Sequence, residues 1–268
     1  MPNLYYHIHA ALTNNLNRQH HMISLTLRFY GDLKELLLIS HDGMPVHRRL
    51  PLPTSVKDLI EGCGVPHTEV DLVLVDREPA SFSRLVEDGE YISIYPPFST
   101  IELPSGQRLQ QPLSGPARFL ADVNLGKLAW YLRMAGFDTA YRNNAEDREL
   151  LEQMEEEKRI LLTRDRKLLM HNAVEHGYLP RSDDPVEQLQ EVFGRFHLLR
   201  ETAPFTRCPH CNGRLRQVAK EDIIDRLEPL TKRHYQTFSQ CPDCGQVYWS
   251  GSHLRRLDPR IRELLTTG

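Results

Sequence analysis

Residues 118–138 read R-F-L-A-D-V-N-L-G-K-L-A-W-Y-L-R-M-A-G-F-D, and this stretch decides the fold class. Arg118, Phe119, Leu120 and Ala121 form a short apolar strand that stops at an acid, Asp122. Leu125, Leu128, Ala129, Leu132 and Ala135 then recur at helical spacing, and Gly136 ends the helix. The same order repeats downstream. Residues 137–141 read as a second strand, 146–158 as a helix with Leu150, Leu151 and Met154 on its apolar side, and 159–163 as a third strand. Asp184-Pro185 opens a further helix, with Pro185 at a first helical position. Strands alternating with helices of this length imply an α/β domain whose parallel sheet is covered on both faces.

Upstream the period differs. Ile23, Leu25, Leu27 and Phe29 alternate with polar residues, which reads as a half-buried strand. Residues 46–52 give a weaker strand and 56–63 a short helix that Thr54 or Ser55 can cap. Residues 72–75 and 91–95 give two more strands. This is a small α+β layout with one helix on one sheet face. Residues 99–116 hold Pro104, Pro112 and Pro116 among Ser and Gln and read as a linker. Residues 1–21, rich in Asn and His (His7, His9, His20, His21), read as a flexible tail.

Charge follows the same partition. The 268-residue chain has a formal charge of −3, with −4 on residues 1–114, −2 on 115–200 and +3 on 201–268. The whole chain is therefore not a generic polyanion binder. There is no apolar run of about 18 residues for a membrane helix and no basic-then-apolar leader, so a cytoplasmic protein is expected.

Asp122 and Asp165 each follow an apolar strand, and Asp147 stands in the first turn of the helix after the second strand. In an open parallel sheet the ligand crevice lies outside the carboxyl ends of the strands. Clustered carboxylates repel unless a cation sits among them, and oxygen-only ligands suit Mg²⁺ or Mn²⁺. All three acids also stand where helix caps stand. Arg164, Arg166 and Lys167 flank Asp165 and are candidate phosphate contacts. Trp130 and Tyr131 on the first helix read as core.

Cys208-Pro209-His210-Cys211 and Cys241-Pro242-Asp243-Cys244 are two C-x-x-C knuckles separated by 29 residues. Four thiolates fill a tetrahedral shell, so these residues are expected to hold a structural Zn²⁺ with no open position. Gly213 and Gly245 suit the turns after the knuckles. Cys63 stands apart and reads as a buried apolar residue. Arg255, Arg256, Arg260 and Arg262, with Tyr248 and Trp249 nearby, offer the ribbon a basic surface for RNA, or else the ribbon is a stabilising appendage.

The run from Arg118 to Asp138, together with E-D-R-E-L-L at 146–151 and R-I-L-L-T-R-D-R-K-L-L at 159–169, resembles the PIN-like RNase domain at the C-terminus of the exonuclease Mut-seven. V-K-D-L-I-E at 56–61 and D-G-E-Y-I-S-I-Y-P-P at 88–97 resemble the β-grasp fold of ubiquitin-like sulfur carriers. The final strand, however, runs into Pro96-Pro97 where a carrier ends in Gly-Gly, so a non-catalytic interaction module is expected. The resemblance covers roughly residues 22–98 and 117–258, and it implies a metal-dependent ribonuclease with Asp122, Asp147 and Asp165 as the metal-holding acids. A fourth acid is Asp183 or Asp184.

The expected organisation is a tail (1–21), a ubiquitin-like β-grasp module (22–98), a linker (99–116), a PIN-like nuclease domain (117–200) and a zinc ribbon with basic tail (201–268). RNA is the expected substrate, and the β-grasp module is expected to meet a protein partner. The competing reading is a non-catalytic RNA- or ribosome-binding zinc-ribbon protein. A phosphatase using an aspartate nucleophile is disfavoured, because D-V-N-L-G at Asp122 lacks the D-x-D-x-T pattern.

Overall fold

The computed structural model describes residues 22–39, 43–98, 103–104, 106–113, 115–249 and 258–266. The four tail histidines and Arg255 and Arg256 lie outside the described residues. The chain divides into two units, Met1–Leu109 and Gln110–Gly268.

In the first unit, β1 (Ile23–Phe29), β2 (Val46–Leu50), β3 (Leu72–Val75), β4 (Glu78–Pro79) and β5 (Tyr91–Tyr95) form one mixed sheet in the order β2-β1-β5-β3-β4. β1 and β5 run parallel, and the other pairs are antiparallel. Ile23, Leu25, Leu27 and Phe29 are buried and their neighbours are not, as a period of two requires. Helix α1 (Val56–Glu61) begins at Ser55, whose hydroxyl accepts the Asp58 N–H at 3.0 Å. Val56, Leu59 and Ile60 are its buried residues. This is the β-grasp arrangement. β4 gives no signal in the sequence, because its two residues sit on an edge and end in a proline. Cys63 is buried, as expected.

The stretch that reads as a linker is partly anchored. Arg108 pairs with the buried carboxylate of Asp71, and Leu109 N–H donates to Asp71 O at 2.7 Å. A buried carboxylate needs such a partner, and it recruits residues that carry no periodicity.

The second unit is built on β6 (Arg118–Ala121), β7 (Asp138–Tyr141), β8 (Ile160–Leu162) and β9 (Gly177–Tyr178), all parallel, in the order β7-β6-β8-β9. Chain order therefore reverses between β6 and β8. Such a switch point opens a crevice outside the carboxyl ends of the two strands. Helices α2 (Gly126–Met134), α3 (Asp147–Glu157), α4 (Arg166–Leu169) and α5 (Pro185–Phe196) connect and cover the sheet. Phe119, Leu128, Leu132, Leu162, Leu189 and Val192 belong to its core.

The end of α2 is closely joined to a segment some seventy residues downstream. The carbonyls of Met134 and Ala135 accept Phe205 N–H and Ala203 N–H, each at 2.9 Å, so that segment satisfies the end of the helix. Gly136 has φ +98°, and a Cβ there would lie 2.2 Å from Ala203 O. Gly194, on the exposed side of α5, has nothing within 4 Å of the same position.

A three-stranded antiparallel ribbon completes the sheet structure: β10 (Arg216–Val218), β11 (Phe238–Gln240) and β12 (Val247–Trp249). Its small core is Ile223, Leu227, Phe238 and Val247. Helices α6 (Lys220–Ile223) and α7 (Pro229–His234) stand between β10 and β11. The last helix, α8 (Pro259–Thr266), leaves the ribbon's core altogether. Its Ile261 and Leu265 are buried in the core of the parallel-sheet domain. Arg260, expected in a basic tail, is paired with Asp184 at 2.8 Å and with Asp258 at 2.9 Å.

Gly136→Ala combines a disfavoured φ with a backbone clash, and it is expected to destabilise the second unit by more than about 1 kcal/mol. Gly194→Ala, with open space and better helix propensity, is expected to stabilise by about 0.5–1 kcal/mol. Thermal unfolding of the two variants checks both signs.

Candidate active site and metal centre

Asp122 follows β6 directly. The residue is 7% exposed and its carboxylate has two partners. Oδ1 accepts the Val123 N–H at 2.6 Å, and Oδ2 accepts the Thr163 hydroxyl at 2.7 Å. Thr163 is fully buried at the end of β8. Its Oγ1 also accepts the N–H of Asp165 at 2.9 Å. One hydroxyl therefore uses its proton on Asp122 and a lone pair on the backbone of Asp165, and ties the two strand ends at the switch point together. Tyr141, at the end of β7, adds a third tether. Its hydroxyl donates to Val123 O at 3.1 Å and lies over Gly126, where a Cβ would meet it at 2.7 Å.

Asp165 is exposed and caps α4. Its Oδ1 accepts the N–H groups of Lys167 at 2.7 Å and Leu168 at 3.3 Å. Its cap duty falls on Oδ1 alone, and Oδ2 faces no hydrogen-bond donor among the described residues. Asp147 is exposed at the first position of α3, where the cap is instead the reciprocal pair Glu146 and Glu149. The structure thus joins Asp122 to Asp165 through Thr163, and no hydrogen bond of that bridge reaches Asp147. Among the described residues, the group of ligating side chains that converges within 4.8 Å is the cysteine quartet, and the three aspartates do not meet at that distance.

The remaining polar candidates have defined partners. Arg164 is ion-paired with Asp183, which is otherwise highly exposed. Asp184 caps α5 by accepting the Val186 N–H at 2.9 Å and also holds Arg260. Arg166 is half-buried and Lys167 exposed. Tyr131 packs on the core, but Trp130 is 40% exposed, contrary to the core reading. One residue along a helix turns a side chain about 100° from its neighbour, which carries the Trp130 ring away from the face that Tyr131 buries.

The donor set fits a hard divalent cation. It consists of carboxylate oxygens, and Mg²⁺ keeps several waters and commonly uses only one or two protein carboxylates. Asp122 offers the remaining lone pairs of a fixed carboxylate, and Asp165 offers Oδ2.

The cysteines form a second, distinct site. All four sulfurs lie within 4.8 Å of one another, with Cys208–Cys244 at 3.6 Å and Cys211–Cys241 at 3.4 Å. A tetrahedral thiolate site with metal–sulfur bonds of about 2.3 Å has sulfur–sulfur edges of about 3.8 Å. The quartet can therefore hold a metal ion. Burial opposes ionisation of Cys208, yet hydrogen bonds from Tyr248 and the backbone outweigh it and bring its pKa down to about 7. Burial and the neighbouring sulfurs push Cys211 up to about 12. Adjacent thiols cannot all ionise without a cation, so their titrations separate.

The two knuckles solve the same turn differently. Gly245 takes a left-handed φ of +74° after the second, while Asn212 takes the same φ of +74° after the first. Asn tolerates that conformation, and here its side chain has a further role. Asn212 Oδ1 accepts the Thr139 N–H at 3.0 Å, and Nδ2 donates to Asp138 at 2.9 Å. The first knuckle is thus sewn to β7, the edge strand of the parallel sheet. A Cβ at Gly213 would lie 2.9 Å from Cys241 Sγ and would also displace the Asp243 carboxylate.

Arg133 completes the joint. It is 6% exposed and donates to Thr139 O at 2.8 Å, His210 O at 3.0 Å and Pro209 O at 3.2 Å. Its guanidinium grips both the edge strand and the first cysteine knuckle, and four thiolates around a metal would supply the negative charge that a buried cation needs. Asp138 is shared among Arg159 at 2.7 Å, Arg207 at 3.0 Å and Asn212. Burial raises the Asp138 pKa, but the hydrogen bonds from Asn212 and Arg159 prevail and hold it below the usual carboxylate value.

The second unit is thus a parallel α/β domain with acids at its switch point, joined to a ribbon whose four cysteines could hold a metal ion. The family model described as Mut7-C RNAse domain matches residues 117–261, and the chain belongs to that family. The model described as Mut7-C ubiquitin matches residues 22–102. No curated protein and no solved structure matches the chain. The RNAse match spans the ribbon and reaches Ile261, the α8 residue buried in the parallel-sheet core. Among the described residues, no helix is long and apolar enough to cross a membrane.

Arg133→Met removes a buried cation and orphans three carbonyls. It is expected to cost about 3–5 kcal/mol and to speed metal release from the quartet. Metal transfer to a colorimetric chelator, with elemental analysis of the released ion, measures this; an unchanged release rate would contradict the joint.

Proposed function

We propose that the protein is a metal-dependent ribonuclease that hydrolyses RNA phosphodiester bonds at the β6–β8 switch point. The observation that carries this reading is the Asp122–Thr163–Asp165 bridge, which holds two acids at the ligand crevice of a domain in the RNAse family. Asp122 and Asp165 are the residues that would hold Mg²⁺ or Mn²⁺. Such an ion supplies an acidified water and charge stabilisation at the phosphate. Thr163 locks the Asp122 carboxylate in one orientation, and Tyr141 fixes the turn behind it. Asp147 contributes charge from the start of α3. Arg166 and Lys167, beside Asp165, neutralise the RNA backbone, and Arg164 joins them by exchanging Asp183 for phosphate.

The cysteine quartet is read as a structural Zn²⁺ site, since four thiolates leave no coordination position for substrate. The ubiquitin-like unit is read as a recruiting module without chemistry of its own. Free cysteines and a thiolate site suit a reducing, cytoplasmic setting.

Asp165→Asn retains shape and much of the helix cap while removing a negative charge. It is expected to abolish most RNA hydrolysis with added Mn²⁺ while leaving the fold and the ribbon metal intact. If Asp165 were a cap alone, the change would cost at most a few tenths of a kcal/mol and leave cleavage unaltered. Equal cleavage of labelled RNA by wild type and variant would overturn the site, and no cleavage by either would favour the RNA-binding alternative.

A further inference from the structure

The face of the first unit's sheet that points away from α1 carries an unusual set of side chains. Tyr30, Tyr91 and Tyr95 line an open hollow of about 640 Å³ with Asp76 and Arg77. The Tyr30 and Tyr95 rings are stacked, 4.3 Å apart and within 9° of parallel. The Arg28 guanidinium lies 5.1 Å from the centre of the Tyr30 ring. Arg49 joins the same face through its pairing with Ser24.

The charge on this face opposes that of the module. Residues 1–114 total −4, yet Arg77 lines the hollow, Arg28 lies over the Tyr30 ring, and Arg49 stands further along the same face. Arg84 and Arg108 are tied to Glu90 and Asp71. Arg28, Arg49 and Arg77 have no carboxylate partner among the described residues. The nearby acids keep their charge but are each held by a backbone donor: Asp76 accepts the Tyr91 N–H at 2.9 Å, and Asp88 accepts the Ser24 N–H at 2.7 Å.

We propose that this sheet face binds single-stranded RNA, with bases stacking on the tyrosine rings and Arg28, Arg49 and Arg77 meeting the phosphates. Flat aromatic groups beside unpaired guanidinium groups suit unstacked bases on a polyanionic backbone. An acidic partner protein would use the arginines but leave the stacked rings without a matching flat ligand. The choice of nucleic acid rests on the RNA-directed reading of the second unit. The face itself is a separate binding site, in the unit that carries no candidate catalytic acid.

The test is fluorescence anisotropy of a labelled single-stranded RNA 12-mer with the full-length protein, its ribbon metal-loaded, and no added Mg²⁺ or Mn²⁺. Tyr95→Ala is expected to weaken binding at least about 5-fold, the effect of losing one stacked base. Tyr95→Phe keeps the ring and should bind like wild type. The exposed double variant Arg28→Gln/Arg77→Gln, which spares the core, should weaken binding and lower the salt slope by about 1 for each phosphate that is no longer neutralised.

Binding indifferent to all these changes overturns the proposal and leaves the face to a protein partner. Tighter binding of a DNA strand of the same sequence overturns the choice of RNA. A cleavage assay on the same variants separates the two readings. Weakened binding in the variants, without any wild-type cleavage, would sink only the nuclease reading, whereas cleavage with unaltered binding would sink only this one.

Discussion

The Thr163 hydroxyl is the point on which the candidate site depends. A carboxylate as buried as Asp122 is costly unless its oxygens are satisfied, and Thr163 satisfies one while also accepting the Asp165 N–H. A hydroxyl can do both because it has one proton and two lone pairs. The consequence is geometric. The ends of β6 and β8 are adjacent only because chain order reverses between them, and the bridge turns that adjacency into a fixed spacing of two acids. Valine would fill the same volume and break both bonds. Tyr141 over Gly126 acts in the same sense from β7.

The opposite requirement, keeping the edge of the sheet closed, is met by the ribbon. An exposed edge strand presents unpaired N–H and C=O groups. On β7, Thr139 has its N–H taken by Asn212 and its C=O by Arg133. Both partners are bound to the first metal knuckle or belong to it. A metal held by the cysteines would therefore brace the α/β domain as well as the ribbon, and the family match likewise runs unbroken from 117 to 261. The two proposed metals divide the chemistry by donor type. Soft thiolates enclose one ion completely, and hard carboxylates leave room for water and phosphate around the other.

Much of this is legible in the residues. The strands at 72–75, 91–95 and 118–121 can be read to the residue, because short apolar runs bounded by turns or acids leave little choice. The cysteine quartet is legible from spacing alone. Thr163 is not, although it stands in L-L-T-R-D: a lone threonine after a strand gives no signal until its strand's neighbour is known. Arg133 looks in sequence like one more charge near a helix end, and only its burial reveals the joint. α8 reads as part of a basic tail because Arg260 and Arg262 follow Arg255 and Arg256 in sequence, and its two core residues, Ile261 and Leu265, are too few to set a period. Strand-end placement suggests that all three aspartates meet; β7 and β8 both flank β6, but Asp122 and Asp165 lie within three residues of their strand ends, whereas Asp147 stands six residues past the end of β7, on a helix.

Whether Asp122 and Asp165 hold a divalent cation separate from the cysteines is tested most directly by metal binding. Electron paramagnetic resonance reports free Mn²⁺ as the zinc-loaded protein is added. Wild-type protein is expected to remove the free-ion signal at about one Mn²⁺ per chain, and Asp122→Asn and Thr163→Val are both expected to restore it while the zinc content stays constant. A free-Mn²⁺ signal equally depleted by wild type and Asp122→Asn would contradict the site.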